Sequence, residues 1–152
     1  MKKVIKVIFA ISFVFYLLLL VSILYLRPNF IHHWSYIEYI KYSINIIPFK
    51  NISRYIIAIF TGSMNLSAPI TNLGGNLILL FPMGFYLPFF VKKIKNVSTF
   101  SVWIIIIIFL LEVIQLLTTR GAFDIDDIIL NTLGAILGFV IWRTKPIQKL
   151  LK

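Results

Sequence analysis

The amino-acid sequence predicts an all-α membrane protein, folded as one domain that is a bundle of about four transmembrane helices. Hydrophobic residues make up 60% of the 152-residue chain, against roughly 45–50% in typical soluble domains. Charged residues make up only 13%, about half of the usual share. A soluble fold of this size buries only about 70% of the surface that its unfolded chain exposes, so it could not hide this much apolar surface.

The distribution of charge favours the same fold class. The chain has 15 Lys and Arg residues against 5 Asp and Glu residues, a net charge of +10. The basic residues form short clusters beside apolar runs, which is typical of loops at a membrane surface rather than of a nucleic-acid interface. We therefore expect membrane lipids, and no nucleic acid, as partners. Cysteine is absent, which excludes disulfides and cysteine-based metal sites.

Four apolar segments are long enough to cross about 30 Å of hydrocarbon at about 1.5 Å per residue. The predicted helices are residues 7–26, 72–91, 99–117 and 124–142. The first resembles a signal peptide in its basic start, but no small-residue cleavage site follows it, so a retained helix is predicted.

The long apolar region before the second basic loop needs a break. It runs without a charge from Tyr55 to Val91, which is too long for one spanning helix. We expect Gly74 and Gly75 to interrupt it and Pro82 to kink the helix that follows.

An interfacial segment is predicted between helices 1 and 2. Residues 27–54 mix charged and aromatic side chains, a composition typical of the headgroup region of a bilayer. Trp34, Tyr36, Tyr39 and Tyr42 are expected at that level. His32 and His33 are expected to be interfacial rather than catalytic. Residues 55–64 are predicted to be interfacial or re-entrant.

The positive-inside rule predicts that both termini are cytoplasmic. With an inner N-terminus, four spans place most basic residues in short cytoplasmic segments. These residues are Lys2, Lys3, Lys6, Lys92, Lys93, Lys95, Arg143, Lys145, Lys149 and Lys152. The outer side then carries Arg27, Lys41, Lys50, Arg54 and Arg120.

Polar residues in the apolar helices predict a pocket that opens outward. Glu112 and Gln115 share one face in the outer half of helix 3, since residues three apart are neighbours on a helix. One face of helix 4 carries Asp124, Asp127, Asn131, Gly134 and Gly138, and its two glycines suit close helix contact. Because all the polar groups lie on one side of the bilayer, they can converge. The predicted pocket residues are Asn76, Glu112, Gln115, Arg120, Asp124, Asp127 and Asn131.

Several interpretations of these residues are open at the level of sequence. Arg120 could pair with the buried acids, or its guanidinium could hold a ligand phosphate. Asp124 could be an N-cap, with Asp126 and Asp127 doing no more than complementing the helix dipole. Asp126 points away from the shared face. Glu112, Gln115 and Asn131 could form hydrogen bonds between helices and bind no ligand. A cation site of Glu112, Asp124 and Asp127 is less favoured, so no metal and no cofactor is predicted.

Four blocks of sequence, taken in order, resemble the VanZ-like family. They are residues 47–50 (IPFK), 72–88 (NLGGNLILLFPMGFYLP), 112–115 (EVIQ) and 120–134 (RGAFDIDDIILNTLG). The resemblance covers residues 47–140. It implies a multi-pass protein of the plasma membrane of a Gram-positive bacterium, with a role in the cell envelope, because the family is named after an accessory protein of glycopeptide resistance that lowers teicoplanin susceptibility.

Two main hypotheses of function follow. The first is a binding protein whose pocket engages a headgroup, that of a lipid-linked wall precursor or of a glycopeptide antibiotic. The second is an intramembrane enzyme acting on a polyprenyl phosphate or another envelope lipid, with Glu112 or an aspartate as general base. The sequence has no signature of a nucleophile beside a base, which disfavours the enzyme. A small transporter is a third possibility, but no inverted repeat is found.

Overall fold

The computed structural model describes residues 2–26 and 35–151. The predicted interfacial residues Arg27, His32, His33 and Trp34 lie outside the described residues. In chain order, the elements are α1 (Lys2–Tyr25), α2 (Tyr36–Tyr42), β1 (Ile44–Asn45), α3 (Lys50–Thr61), α4 (Ser67–Leu79), α5 (Met83–Phe90), α6 (Val97–Leu117), β2 (Phe123–Asp124), α7 (Ile125–Trp142) and α8 (Lys145–Leu151).

The predicted class, an all-α membrane bundle, is confirmed. Within the described part of the chain, four helical segments are long and apolar enough to cross a membrane, with mean hydropathies between 1.5 and 2.9. They are Lys3–Tyr25, Ser67–Phe90, Val97–Leu117 and Ile125–Trp142. The first, third and fourth predicted helices thus correspond to α1, α6 and α7, and the second corresponds to α4 followed by α5.

The second span differs from its predicted start. It begins at Ser67 rather than near residue 72. Gly74 and Gly75 lie inside α4 and do not interrupt it, and a β-carbon at either position would meet nothing within 4 Å. Glycine inside a helix costs only about 0.5–1 kcal/mol relative to alanine, which a packed helix tolerates. The break comes at Pro82, between α4 and α5. Proline has no N–H to donate to the preceding turn, which explains the kink at this position.

The described part of the segment between the first two spans, from residue 35 onward, lies across one end of the bundle. The Tyr36 hydroxyl donates to the Leu117 carbonyl at 3.3 Å, and the Tyr39 hydroxyl donates to the Gly121 carbonyl at 2.5 Å. Strand β1 pairs in parallel with β2, just before α7. This end is the outer end in the predicted orientation. At 12 residues, α3 is too short to cross a bilayer.

Helix α2 begins with a capping box. The Ser35 hydroxyl and backbone N–H both donate to the Glu38 carboxylate, and the Glu38 N–H donates to the Ser35 hydroxyl oxygen. Donation from the Ser35 backbone and side chain lowers the pKa of the exposed Glu38 carboxyl, because these hydrogen bonds favour its charged form.

Helix α7 is the centre of the bundle, and it packs against α4, α5 and α6. The rings of Phe100 and Phe139 stack with their centroids 4.5 Å apart in the buried core between α6 and α7. On the other side, a β-carbon at Gly134 would lie 1.8 Å from the Leu77 carbonyl oxygen, and one at Gly138 would lie 2.2 Å from that of Phe81. The predicted close helix contact at both glycines is confirmed.

Helix α1 is largely exposed and contacts α5 through aromatic rings. The ring of Phe9 lies 4.5 Å from that of Phe89, and the ring of Phe13 lies 4.9 Å from that of Tyr86. The Tyr16 hydroxyl donates to the Leu79 carbonyl at 2.8 Å. These contacts lie in the first two thirds of α1. Its last turn contacts α6, where the Tyr25 hydroxyl donates to the Leu111 carbonyl at 3.4 Å.

The even number of spanning helices predicts that both termini lie on the same side. A reporter that is active only in the cytoplasm should therefore work when fused at either end, since the positive-inside rule makes that side cytoplasmic. A fusion after the exposed Gly62, between α3 and α4, serves as the control and should be inactive. Activity at only one terminus would contradict the four-span arrangement.

Candidate functional site: a polar cavity among the spanning helices

A cavity of about 640 Å³ lies among α1, α4, α6 and α7. It is in the half of the bundle nearer to α2 and α3, and its walls combine apolar and polar side chains. Leu19, Ile23 and Ile78 belong to the apolar wall. The polar wall contains all but one of the predicted pocket residues, namely Asn76, Glu112, Gln115, Arg120, Asp127 and Asn131.

Helix α7 presents Asp127 and Asn131 to this cavity. The Asn76 side-chain amide of α4 donates to a carboxylate oxygen of Asp127. One turn further, the Asn131 amide nitrogen donates to the Asp127 backbone carbonyl at 2.8 Å. Asn131 is only 4% exposed, and its side-chain oxygen is buried without a hydrogen-bond partner. Asn131 thus has a buried acceptor without a partner, which is packed beside the cavity and not exposed to it.

Helix α6 contributes Glu112 and Gln115, which share one face as predicted. Glu112 is 6% exposed, and its carboxylate accepts the Asp124 backbone N–H at 3.2 Å. The Gln115 side-chain amide donates to the Leu24 carbonyl of α1 at 3.3 Å. Both residues thus join helices, as the interpretation without a ligand requires, and both also line the cavity.

Arg120 lies on the rim of the cavity. It is exposed and precedes Gly121 and Ala122, which line the same opening. Its position suits contact with a group that enters from the end of the bundle, and its pairing with the acidic residues stays a prediction.

Asp124 does not line the cavity. Its side chain instead stabilises the fold through hydrogen bonds to neighbouring segments. Its side chain accepts the Asp126 N–H at 2.9 Å, which confirms the alternative that it is the N-cap of α7. It also accepts the side-chain amides of Asn45 at 2.8 Å and Asn51 at 2.5 Å. Asp124 therefore ties the segment before α7 to β1 and α3.

Asp126 has a role that the sequence analysis missed. It is 1% exposed, and its carboxylate accepts the backbone N–H groups of Phe49, Asn51 and Ile52 at 2.5, 2.7 and 3.0 Å. These groups belong to the start of α3, which has no side-chain cap of its own. Asp126 thus caps a different helix, where an anion complements the positive end of the dipole. No sequence pattern links residues 74 to 77 positions apart.

The chemistry available in the cavity is that of hydrogen bonding and charge. Its described lining includes two carboxylic acids, four side-chain amides, one guanidinium and the hydroxyl groups of Tyr16 and Thr71, but no serine, cysteine, histidine or lysine. A carboxylate is therefore the candidate for a general base, and the guanidinium is the candidate for contact with an anion.

A comparison with models of protein families decides the membership of the chain. The model described as VanZ/LLP1 matches residues 13–147. The chain belongs to the VanZ/LLP1 family. The match is wider than the resemblance found from the sequence, because it also includes the second half of α1 and the first residues of α8. Neither the comparison with curated proteins nor that with solved structures gave a match.

All residues that line the cavity fall within the VanZ/LLP1 region, which extends from residue 13 to residue 147. The same is true of the contacts that Asp124 and Asp126 make with β1 and α3. This VanZ/LLP1 protein is thus a multi-pass membrane protein whose matched region contains both the cavity and the polar contacts around it.

Proposed function

We propose that this VanZ/LLP1 protein binds the headgroup of a membrane amphiphile in the cavity, at the outer face of a bacterial plasma membrane. The amphiphile would be a lipid-linked wall precursor or a lipoglycopeptide, and binding would lower susceptibility to teicoplanin-type antibiotics. The observation that carries the proposal is a cavity with one apolar and one polar wall among spanning helices.

The dimensions and lining of the cavity suit such a ligand. Its volume of about 640 Å³ falls in the range of roughly 300–1,000 Å³ that is common for small-molecule sites. Leu19, Ile23 and Ile78 can contact a hydrocarbon chain or an apolar linker, while the residues of α6 and α7 contact the headgroup. Arg120 at the rim can bind a phosphate through paired N–H donors.

An intramembrane enzyme that modifies an envelope lipid is the second candidate. The observation in its favour is the burial of the Glu112 carboxyl group at 6% exposure in the wall of the cavity. A general base needs such a position beside the substrate. Turnover of an added polyprenyl phosphate would favour this candidate, whereas stable retention of an unmodified lipid would favour binding.

Replacing Arg120 with alanine should weaken ligand retention about tenfold or more, because a hydrogen bond to a charged group contributes about 1.5–3 kcal/mol. Native mass spectrometry of the detergent-purified protein, with the co-purified lipid as ligand, measures this loss. In cells that carry the same variant, tolerance of teicoplanin should fall.

Lys41→Ala is the matched control. Lys41 is also exposed, and it lies in α2 at the same end of the bundle, but outside the lining of the cavity. This variant should retain lipid and tolerance like the wild type. Equal behaviour of the two variants would contradict binding of a phosphate headgroup at the rim.

A further inference from the structure

The cavity also opens on the side of the bundle, between α1 and α4. One face of each helix lines this side opening, since residues three, four and seven apart are neighbours along a helix. The lining residues are Tyr16, Leu19 and Ile23 of α1 and Thr71, Gly75 and Ile78 of α4. Apart from the half-buried Tyr16, all of them are exposed on the surface of the bundle although they line the cavity. The gap between the two helices therefore connects the cavity with the surroundings of the bundle.

The side opening lies at the depth of the hydrocarbon core. Leu19 lies six residues before the end of α1, and Ile78 lies 11 residues after the start of α4. At about 1.5 Å per residue, these positions are about 9 and 17 Å below the outer ends of their helices, deeper than a headgroup layer of roughly 5–8 Å. Ile78 is 69% exposed, so this part of the cavity wall faces lipid chains. A lipid of the outer leaflet can thus reach the cavity without leaving the bilayer.

Hydrogen bonds of α1 define the limits of the side opening. At its inner edge, the Tyr16 hydroxyl donates to the Leu79 carbonyl at 2.8 Å, so α1 and α4 are in contact there. Near the outer end of α1, the Gln115 side-chain amide donates to the Leu24 carbonyl at 3.3 Å, which joins α1 to α6 rather than to α4. The helices α1 and α4 are therefore in contact below the cavity, and the space above that contact is open.

Gly75 contributes to the width of the side opening. It lines the cavity, and a β-carbon at this position would meet nothing within 4 Å. Packing therefore does not require glycine here, and inside a helix glycine is less favourable than alanine. The missing side chain instead leaves free space between α4 and α1. A larger side chain at this position would fill the opening without displacing the backbone of a neighbouring helix.

We propose that a lipid of the outer leaflet enters the cavity through the side opening, and that its hydrocarbon chain stays between α1 and α4 while its headgroup reaches the polar wall. This inference rests on the proposed function and adds the route of the ligand and the place of its chain. Arg120 lies at the outer end of the cavity, so it can contact a phosphate while the chain leaves sideways into the bilayer. The chain then need not fit inside about 640 Å³. The ligand class is a phosphate-bearing lipid with a long prenyl or acyl chain, and not a water-soluble phosphate.

Replacing Gly75 with leucine tests the side opening. Binding of farnesyl phosphate, which has a prenyl chain, and of dodecyl phosphate, which has a linear chain, is titrated by native mass spectrometry of the full-length protein in lauryldimethylamine oxide. The probe that binds the wild type more tightly identifies the class of chain. For that probe, Gly75→Leu should weaken binding about fivefold or more, because added methylenes in occupied space are unfavourable.

Gly74→Leu is the matched control for this variant. Gly74 is the preceding residue of the same helix and a β-carbon there also meets nothing within 4 Å, but it does not line the cavity. Gly74→Leu should therefore bind the probe like the wild type. If Gly75→Leu does not fold, Gly75→Ala replaces it, since its β-carbon has free space. Gly75→Ala should weaken binding about twofold, and Gly74→Ala should not weaken it.

The length of the chain provides a second measurement. Geranylgeranyl phosphate is one isoprene unit longer than farnesyl phosphate, and it should bind at least as tightly because the added unit lies in the surrounding lipid or detergent. Weaker binding of the longer probe would overturn the exit of the chain, and equal affinities of Gly75→Leu and Gly74→Leu would overturn the side opening. In both cases the wild type still binds a lipid phosphate, so the proposed function stands. Failure of the wild type to bind any of these probes would overturn the proposed function together with the inference.

Discussion

Replacing Gly134 with alanine is expected to lower the free energy of unfolding by about 3 kcal/mol, near the upper end of typical overpacking penalties. The added β-carbon would lie 1.8 Å from the Leu77 carbonyl oxygen and 2.8 Å from its carbon. These are backbone atoms, so no side-chain rotation can relieve the overlap, and α4 must move away from α7. Unfolding of the purified protein in detergent, followed by circular dichroism, measures the change.

Gly74→Ala is the control for this prediction. Gly74 lies in α4 as well, but a β-carbon there meets nothing within 4 Å. Because alanine is favoured over glycine inside helices by about 0.5–1 kcal/mol, this variant should be as stable as the wild type or slightly more stable. Equal stabilities of Gly134→Ala and Gly74→Ala would refute the close approach of α4 and α7.

Replacing Asp126 with alanine is the second change with a large expected effect, a loss of about 3 kcal/mol. It would leave the N–H groups of Phe49, Asn51 and Ile52 without their acceptor. The start of α3 would also lose the negative charge that complements its dipole. Asp126→Asn, which keeps one acceptor oxygen without the charge, should give an intermediate loss in the same unfolding measurement.

Hydrogen exchange provides a local test of the same contact. In Asp126→Ala, exchange of the amides of Asn51 and Ile52 should accelerate, while the amides in the middle of α7 should keep their protection. Glu38→Ala removes the carboxylate half of the capping box of α2 at an exposed position, so it should have a smaller effect on stability and none on α3. Unchanged exchange at Asn51 and Ile52 would show that Asp126 does not cap α3.

The cavity shows how far helical periodicity predicts a site. The positions of Asp127 and Asn131 one turn apart, and of Glu112 and Gln115 on one face, follow from about 100° per residue in any α-helix. Shared depth in the bilayer then predicted that these residues meet, and the structure places them in one cavity. Asp124 has the same helical direction but is the N-cap. At a helix end, capping competes with any other role, and direction alone does not decide between them.

The sequence by itself determined the membrane class, the third and fourth spans to within about two residues at each end, the close contact at Gly134 and Gly138, and six of the residues that line the cavity. These properties depend on composition and on neighbours within one or two helical turns. Only the tertiary structure decided that Asp126 caps α3, that Gly74 and Gly75 stay helical, and that the Asn131 oxygen is left without a partner. Each of these depends on which atoms of distant segments come into contact, and a pattern within one segment does not contain that information.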